Sequence, residues 1–143
     1  MVVSGPSGTR EVPAQEFFRD FLETAIGPDE LLTEVRLPKS GGAGWSYQKF
    51  NLRAQDWAIV GVAAVGASAG GGVALVNMAS TPVRAPAVEQ AVAAGSSAGE
   101  AASVSTDGLD PPSDLNASAA YRRHLASVLV RRALEEVDAR SGS

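Results

Sequence analysis

The densest chemistry in this sequence lies in one stretch, Gln48-Lys49-Phe50-Asn51-Leu52-Arg53-Ala54-Gln55-Asp56-Trp57. Two cations, a carboxylate and an indole fall within a strand end and the loop that follows it. Two readings are open. One is an exposed strand end, with a salt bridge between Arg53 and Asp56 and Trp57 anchoring the core. The other is a polar rim around a planar ligand, since loops held by a rigid sheet often carry binding groups. The rest of the inventory is thin. Asp29-Glu30 and Glu135-Glu136 have no diagnostic spacing and read as solvated surface. Gly70-Gly71-Gly72 lacks the Lys-Ser/Thr ending of a phosphate loop and reads as a hairpin turn. His124 sits in an arginine-rich run and reads as a surface or packing histidine. The absence of cysteine and the single histidine exclude a thiol nucleophile, a cysteine-ligated metal and a multi-histidine site. No catalytic residue and no metal ligand set is expected.

Composition bounds what can position that stretch. The chain has 143 residues, 45% of them hydrophobic and 20% charged, which suits one domain of ordinary size with a core. Twelve basic against sixteen acidic residues give a net charge of −4, which argues against nucleic acid as the main partner. No run approaches the roughly 20 apolar residues of a membrane span. Met1 to Arg10 lacks the basic start and apolar block of a secretory signal. A cytoplasmic protein is expected.

The elements follow from pattern and punctuation. Met1 to Ser4 is β-prone, Gly5 to Gly8 is a turn, and Pro13 to Phe18 opens a short helix. Gly27 to Glu30 turns again, and Leu31 to Leu37 is a strand stopped by Pro38. Lys39 to Gly44 is a flexible connector, so the chain divides into residues 1–40 and 41–143. Trp45 to Leu52 alternates, with Trp45, Tyr47, Lys49 and Asn51 on one face. Ala58 to Ser68 and Val73 to Met78 are further strands, joined through the triple glycine. Pro82 to Ala94 is expected to be a helix ended by Gly95, and Ala98 to Thr106 a second. Gly108 to Asp114 is an irregular loop. The last helix spans about Ala117 to Val137, capped by Asn116 or Ser118, with Tyr121, Leu125, Val128 and Leu129 on its core face and arginines mostly flanking. Strands followed by helices imply an α+β domain: a small three-stranded antiparallel sheet with a helical layer.

The spacing Lys49-x-x-x-Arg53-x-x-Asp56-Trp57 also resembles the segment opening the C-terminal domain of the FAD-binding medium subunit in molybdenum-containing hydroxylases. These form the aerobic carbon monoxide dehydrogenase and xanthine dehydrogenase family. Thr9 to Pro13 with Phe17 and Phe18, then Pro28 to Thr33 with Leu37 and Pro38, resemble the end of the family's flavin domain. Asn77 to Ala85 with Glu89 resembles its sheet-to-helix crossing. Ser113-Asp114, Tyr121 to Leu125 and Arg131 to Leu134 resemble its last helix. The similarity runs in order along nearly the whole chain.

The resemblance implies that residues 1–40 are the tail of an FAD-binding domain and that residues 41–143 are the medium subunit's C-terminal α+β domain. It further implies that Leu31 and Leu32 lie near the isoalloxazine ring and that Lys49, Arg53, Asp56 and Trp57 belong to the cofactor-binding loop. In such assemblies FAD relays electrons from two [2Fe–2S] clusters on a small subunit, fed by a molybdenum cofactor on a large subunit, to an external acceptor. The family's glycine-rich pyrophosphate loops have no counterpart in this sequence. The expectation is therefore that a missing N-terminal half completes the FAD site and that this chain alone holds FAD weakly or not at all. The alternative is a flavin-free assembly or docking module derived from the same subunit.

Overall fold

The computed structural model describes residues 1–39, 41–67 and 70–141. It forms two compact units, Met1–Lys39 and Ser40–Ser143.

In the first unit, β1 (Val2–Gly5) and β2 (Gly8–Glu11) form a hairpin, followed by a single helical turn α1 (Ala14–Phe17). Next come β3 (Phe18–Asp20), β4 (Glu23–Thr24) and β5 (Leu31–Glu34). The sheet order is β2-β1-β5, with β3 and β4 paired separately. Val3, Val12, Phe17 and Ala25 make the small core. The strand expected over Leu31 to Leu37 ends at Glu34. Its last paired residue, Glu34, lies opposite Val2 of β1. Arg10 clamps the turn before β5. Its Nε and Nη2 donate to Glu30 at 2.8 and 2.7 Å, and Nη2 also reaches the Ala25 carbonyl.

In the second unit, β6 (Trp45–Phe50), β7 (Val60–Val65), β8 (Gly72–Val76) and β9 (Val83–Arg84) pair antiparallel in that order. Three helices, α2 (Pro86–Ala93), α3 (Ala98–Ser103) and α4 (Ala119–Ser141), complete it. The fold is α+β, as the order of elements implies. The sheet has a fourth strand because Val83–Arg84, expected within a helix, pairs with β8. Pro86 disfavours helical backbone at the residue before it, so the chain stays extended through Ala85 (φ −110°) and its N–H donates to the Val73 carbonyl. Helix α2 therefore starts at Pro86 and ends before Gly95, whose φ of +85° suits glycine. Helix α3 begins in a reciprocal capping box between Ser97 and Glu100. Strand β7 runs from Val60 to Val65, shorter at both ends than the strand expected over Ala58 to Ser68, since Ala58, Ile59, Gly66 and Ala67 are not strand; Ser68 itself lies outside the described residues, as does Ser40 of the connector. The amides of Gly70 and Gly71 donate to the Ala67 and Gly66 carbonyls, so this stretch closes a turn and does not present those groups to a phosphate.

The side-chain period of two along each strand sorts the sheet's faces. Val60, Val62, Ala64, Val73 and Leu75 point into the core, where they join Met78, Val88 and the inner face of α4. Trp45, Tyr47 and Val65 stay exposed on the other face. Ser118 caps α4, its Oγ accepting the Tyr121 N–H. The helix continues to Ser141, past the expected end at Val137.

The core face of α4 differs from the expected one. Leu125 and Leu129 are buried as expected, but Tyr121 is 42% exposed and Arg122 is fully buried. A helix turns 100° per residue, so a face centred on Ala126, Val130 and Ala133 takes Arg122 at its upper end and leaves Tyr121 on the margin. There Tyr121 meets Phe50 edge to face.

Candidate functional site

The loop joining β6 to β7 is fixed along its backbone. At its neck, the Ile59 N–H donates to the Phe50 carbonyl at 2.7 Å. Within it, the Asp56 N–H donates to the Arg53 carbonyl at 3.0 Å, and the Asn51 side-chain amide donates to the same carbonyl. From β6, Lys49 Nζ donates to the Asp56 carbonyl at 2.9 Å. Two further side chains grip the loop's exit. Asn77, just past β8 with φ +62°, donates its side-chain amide to the Ala58 carbonyl at 2.8 Å. Arg122 of α4 donates Nη1 to the Ile59 carbonyl.

This backbone order contrasts with free side chains at the tip. Trp57 is 80% exposed and so does not anchor the core. Arg53 is exposed and Asp56 half-buried. The expected Arg53–Asp56 ion pair does not form, and neither charged group has a side-chain partner among the described residues. The loop therefore presents an indole face, a guanidinium, a carboxylate and the remaining Lys49 donors in one place, on a scaffold that does not need them for its own pairing.

Leu31 and Leu32 lie on β5 of the first unit, opposite Ser4 and Val3, and are 73% and 41% exposed. As consecutive strand residues they point to opposite faces of that sheet. The four loop residues belong to the second unit.

Asp114 supports the site from behind. Its Oδ1 accepts the N–H groups of Asn116 and Ala117, and Oδ2 accepts Arg122 Nη2 at 2.6 Å. Those backbone N–H groups, with the Arg122 guanidinium adding to them, hold its carboxyl below the usual range. Neither Asp114 nor Arg122 nor Asn77 was singled out individually from the sequence. All three lie inside stretches that carry the resemblance, and a signal for Arg122 exists: it shares helical spacing with Leu125, Ala126 and Leu129. Among the described residues no cluster of His, Cys, Asp and Glu suits a metal ion, and no helix is long and apolar enough to cross a membrane.

A four-stranded antiparallel sheet backed by helices, with an ordered loop that carries uncommitted charge and an exposed indole, defines an α+β module. Residues 45–137 match the family described as the CO dehydrogenase flavoprotein C-terminal domain, and the chain belongs to that family. It is 33% identical over 149 residues to the carbon monoxide dehydrogenase medium chain of Hydrogenophaga pseudoflava, covering 97% of this chain and 52% of that one. The carbon monoxide dehydrogenase medium chain of Afipia carboxidovorans is likewise 33% identical, with 97% and 52% covered. The solved carbon monoxide dehydrogenase of Hydrogenophaga pseudoflava lacking the Mo-pyranopterin moiety superposes with a TM-score of 0.86 at 34% identity, over 98% of this chain and 52% of that one. The chain thus spans about half the length of the curated relatives it matches.

Proposed function

We propose that this chain is the C-terminal part of the FAD-binding medium subunit of a molybdenum-containing hydroxylase of the carbon monoxide dehydrogenase type. Its partners in that reading are a molybdenum-binding large subunit, an iron–sulfur small subunit and the N-terminal half of a medium subunit. The observation that carries the reading is the family match over residues 45–137, which spans the loop whose Arg53, Asp56 and Trp57 side chains are uncommitted.

The chemistry of this set fits a flavin ring. An exposed indole suits an aromatic face, and cationic donors suit a ring edge rich in acceptors. FAD, when bound, supplies the electron relay between the iron–sulfur clusters and an external acceptor. The residues of this chain set the field around it. Trp57 shields one face from water. Lys49 and Arg53 favour negative charge on the ring, and Asp56 opposes it.

Redox titration of the flavin in the complete assembly tests this. Asp56→Asn removes a negative charge and raises the potential, whereas Arg53→Ala lowers it. A change of about 1.4 kcal/mol corresponds to about 30 mV for a two-electron couple, so shifts of tens of millivolts are expected. Turnover at the molybdenum site survives both changes when an artificial acceptor takes electrons upstream of the flavin. Shifts of the same sign, or none, would remove the loop from the flavin site. The exposed Trp45, Tyr47 and Val65 on the outer sheet face favour the second reading, a flavin-free docking module. Absence of flavin absorbance from the purified assembly would select it.

A further inference from the structure

We propose that Arg122 is a positioning residue for the Lys49–Trp57 loop, acting through the Ile59 carbonyl, with Asp114 behind it and Asn77 as its counterpart on the neighbouring carbonyl. The inference rests on the reading of that loop as the flavin-facing element.

Arg122 is the largest fully buried side chain in the molecule's described part. A buried guanidinium is costly, and a well-packed apolar side chain of similar volume is often as stable or more so. Here the cost is compounded, because Nε is buried without a hydrogen-bond partner. Core filling therefore gives no reason for an arginine at this place. Its two terminal nitrogens do. Nη1 donates to the Ile59 carbonyl and Nη2 to Asp114 Oδ2. Asp114 is itself fixed by the Asn116 and Ala117 amides at the entrance to α4. A rigid planar fork thus ties the start of α4 to the exit of the loop, a geometry that lysine cannot reproduce.

The adjacent carbonyl, that of Ala58, is held by Asn77, just past the end of β8. The carbonyls of the two residues following Trp57 are therefore held by side chains from two separate parts of the chain, Asn77 past β8 and Arg122 in α4. Asn77 accepts φ +62° to do this, a conformation that asparagine adopts more readily than most residues. Strand pairing alone does not account for these bonds. The β6–β7 ladder already starts at the Phe50–Val60 pair, and the gripped carbonyls lie just outside it. The effect is to fix where Trp57 and Asp56 stand while leaving their side chains free.

Amide hydrogen exchange on the full 143-residue chain tests this without flavin. Removing a hydrogen bond to a charged donor loosens the local opening equilibrium, so in Arg122→Met the Asp56 and Ile59 amides should exchange ~10- to 100-fold faster. The Val62 and Leu75 amides in the sheet should keep their rates. Arg122→Lys should recover only part of the protection. A merely structural role predicts something else, namely equal acceleration of loop and sheet amides. That outcome, or unchanged loop amides, would overturn the proposal. If Arg122→Met does not fold, Asp114→Asn and Asn77→Gly carry the same criterion, since each removes one grip from outside the core. The flavin reading fails separately, in the redox titration of Asp56 and Arg53 variants, with these exchange rates untouched.

Discussion

Replacing Gly44 by alanine should destabilise the second unit by pushing the end of α4 off the sheet. A Cβ built on Gly44 falls under 3.0 Å from the Val137 carbonyl oxygen and from Ser141 Oγ, and meets the Ser141 amide at 3.0 Å. The hydroxyl can rotate away. The Val137 carbonyl is helical backbone and cannot. Relief requires the last turns of α4 to move, and those turns are tied to β6 by several bonds. Arg140 donates to the Trp45 carbonyl at 2.7 Å and lies over the Trp45 ring at 4.4 Å. Glu136 accepts the Ser46 hydroxyl and the Gln48 amide. Overpacking against a fixed wall typically costs ~1–3 kcal/mol. For a domain of this size each kcal/mol lowers Tm by about 4–8 °C, so thermal melts should show a fall of ~5–20 °C. Gly99→Ala is the internal control with opposite sign. It lies within α3, where an added Cβ meets only Arg131 Cδ at 4.0 Å, and replacing helical glycine should gain ~0.5–1 kcal/mol. An unchanged melting temperature in Gly44→Ala would refute the close approach of α4 to the start of β6.

Tyr121→Ala should cost about 0.5–1.5 kcal/mol, the worth of an edge-to-face aromatic contact, with some lost burial, and not the larger penalty of a core aromatic; urea unfolding measures it. His124 is exposed on α4, and His124→Ala should leave the same unfolding curve unchanged. Acid should weaken the first unit through Glu30, whose carboxyl is lowered from 4.5 to about 2 by the Arg10 guanidinium and then by the Gly27 N–H. A depressed carboxyl contributes stability above its unfolded value and loses it as pH falls through the folded one. Wild type should therefore lose melting temperature between about pH 5 and pH 2 more steeply than Glu30→Gln; parallel profiles for the two proteins would be evidence against the clamp.

Much of the sheet was legible because its signals are local. Alternation in Trp45 to Phe50, the small apolar run into β7 and the glycines before β8 each point to their element from neighbouring residues alone. Ser97 with Glu100, and Ser118 before α4, are caps that the chain carries within one turn. The Lys49 to Trp57 stretch was likewise visible as the place where charge and an aromatic concentrate, because charged side chains have little use in a packed core. Val83–Arg84 was not legible as strand. Two residues before a proline carry no period, and what makes them β is the free edge of β8 beside them.

The helix register shows where local information stops. Tyr121 and Arg122 are adjacent, and hydropathy alone assigns the tyrosine to the core and the arginine to solvent. The structure reverses them, because the Ile59 carbonyl and the Asp114 carboxylate wait inside to satisfy a guanidinium, and Phe50 waits at the margin for a ring. The Arg53–Asp56 pair is the same lesson in the other direction. Three residues apart and opposite in charge, they invite a salt bridge, yet the loop spends its pairing on backbone carbonyls gripped by Lys49, Asn51, Asn77 and Arg122. Sequence by itself determined three strands of the second unit's sheet, the helices behind it and the composition of the candidate loop, since these depend on spacing along the chain. Which side chains are buried, paired or left free in that loop depended on groups from the residue past β8, from α4 and from the turn before α4, tens of residues away, and only their convergence in space could decide it.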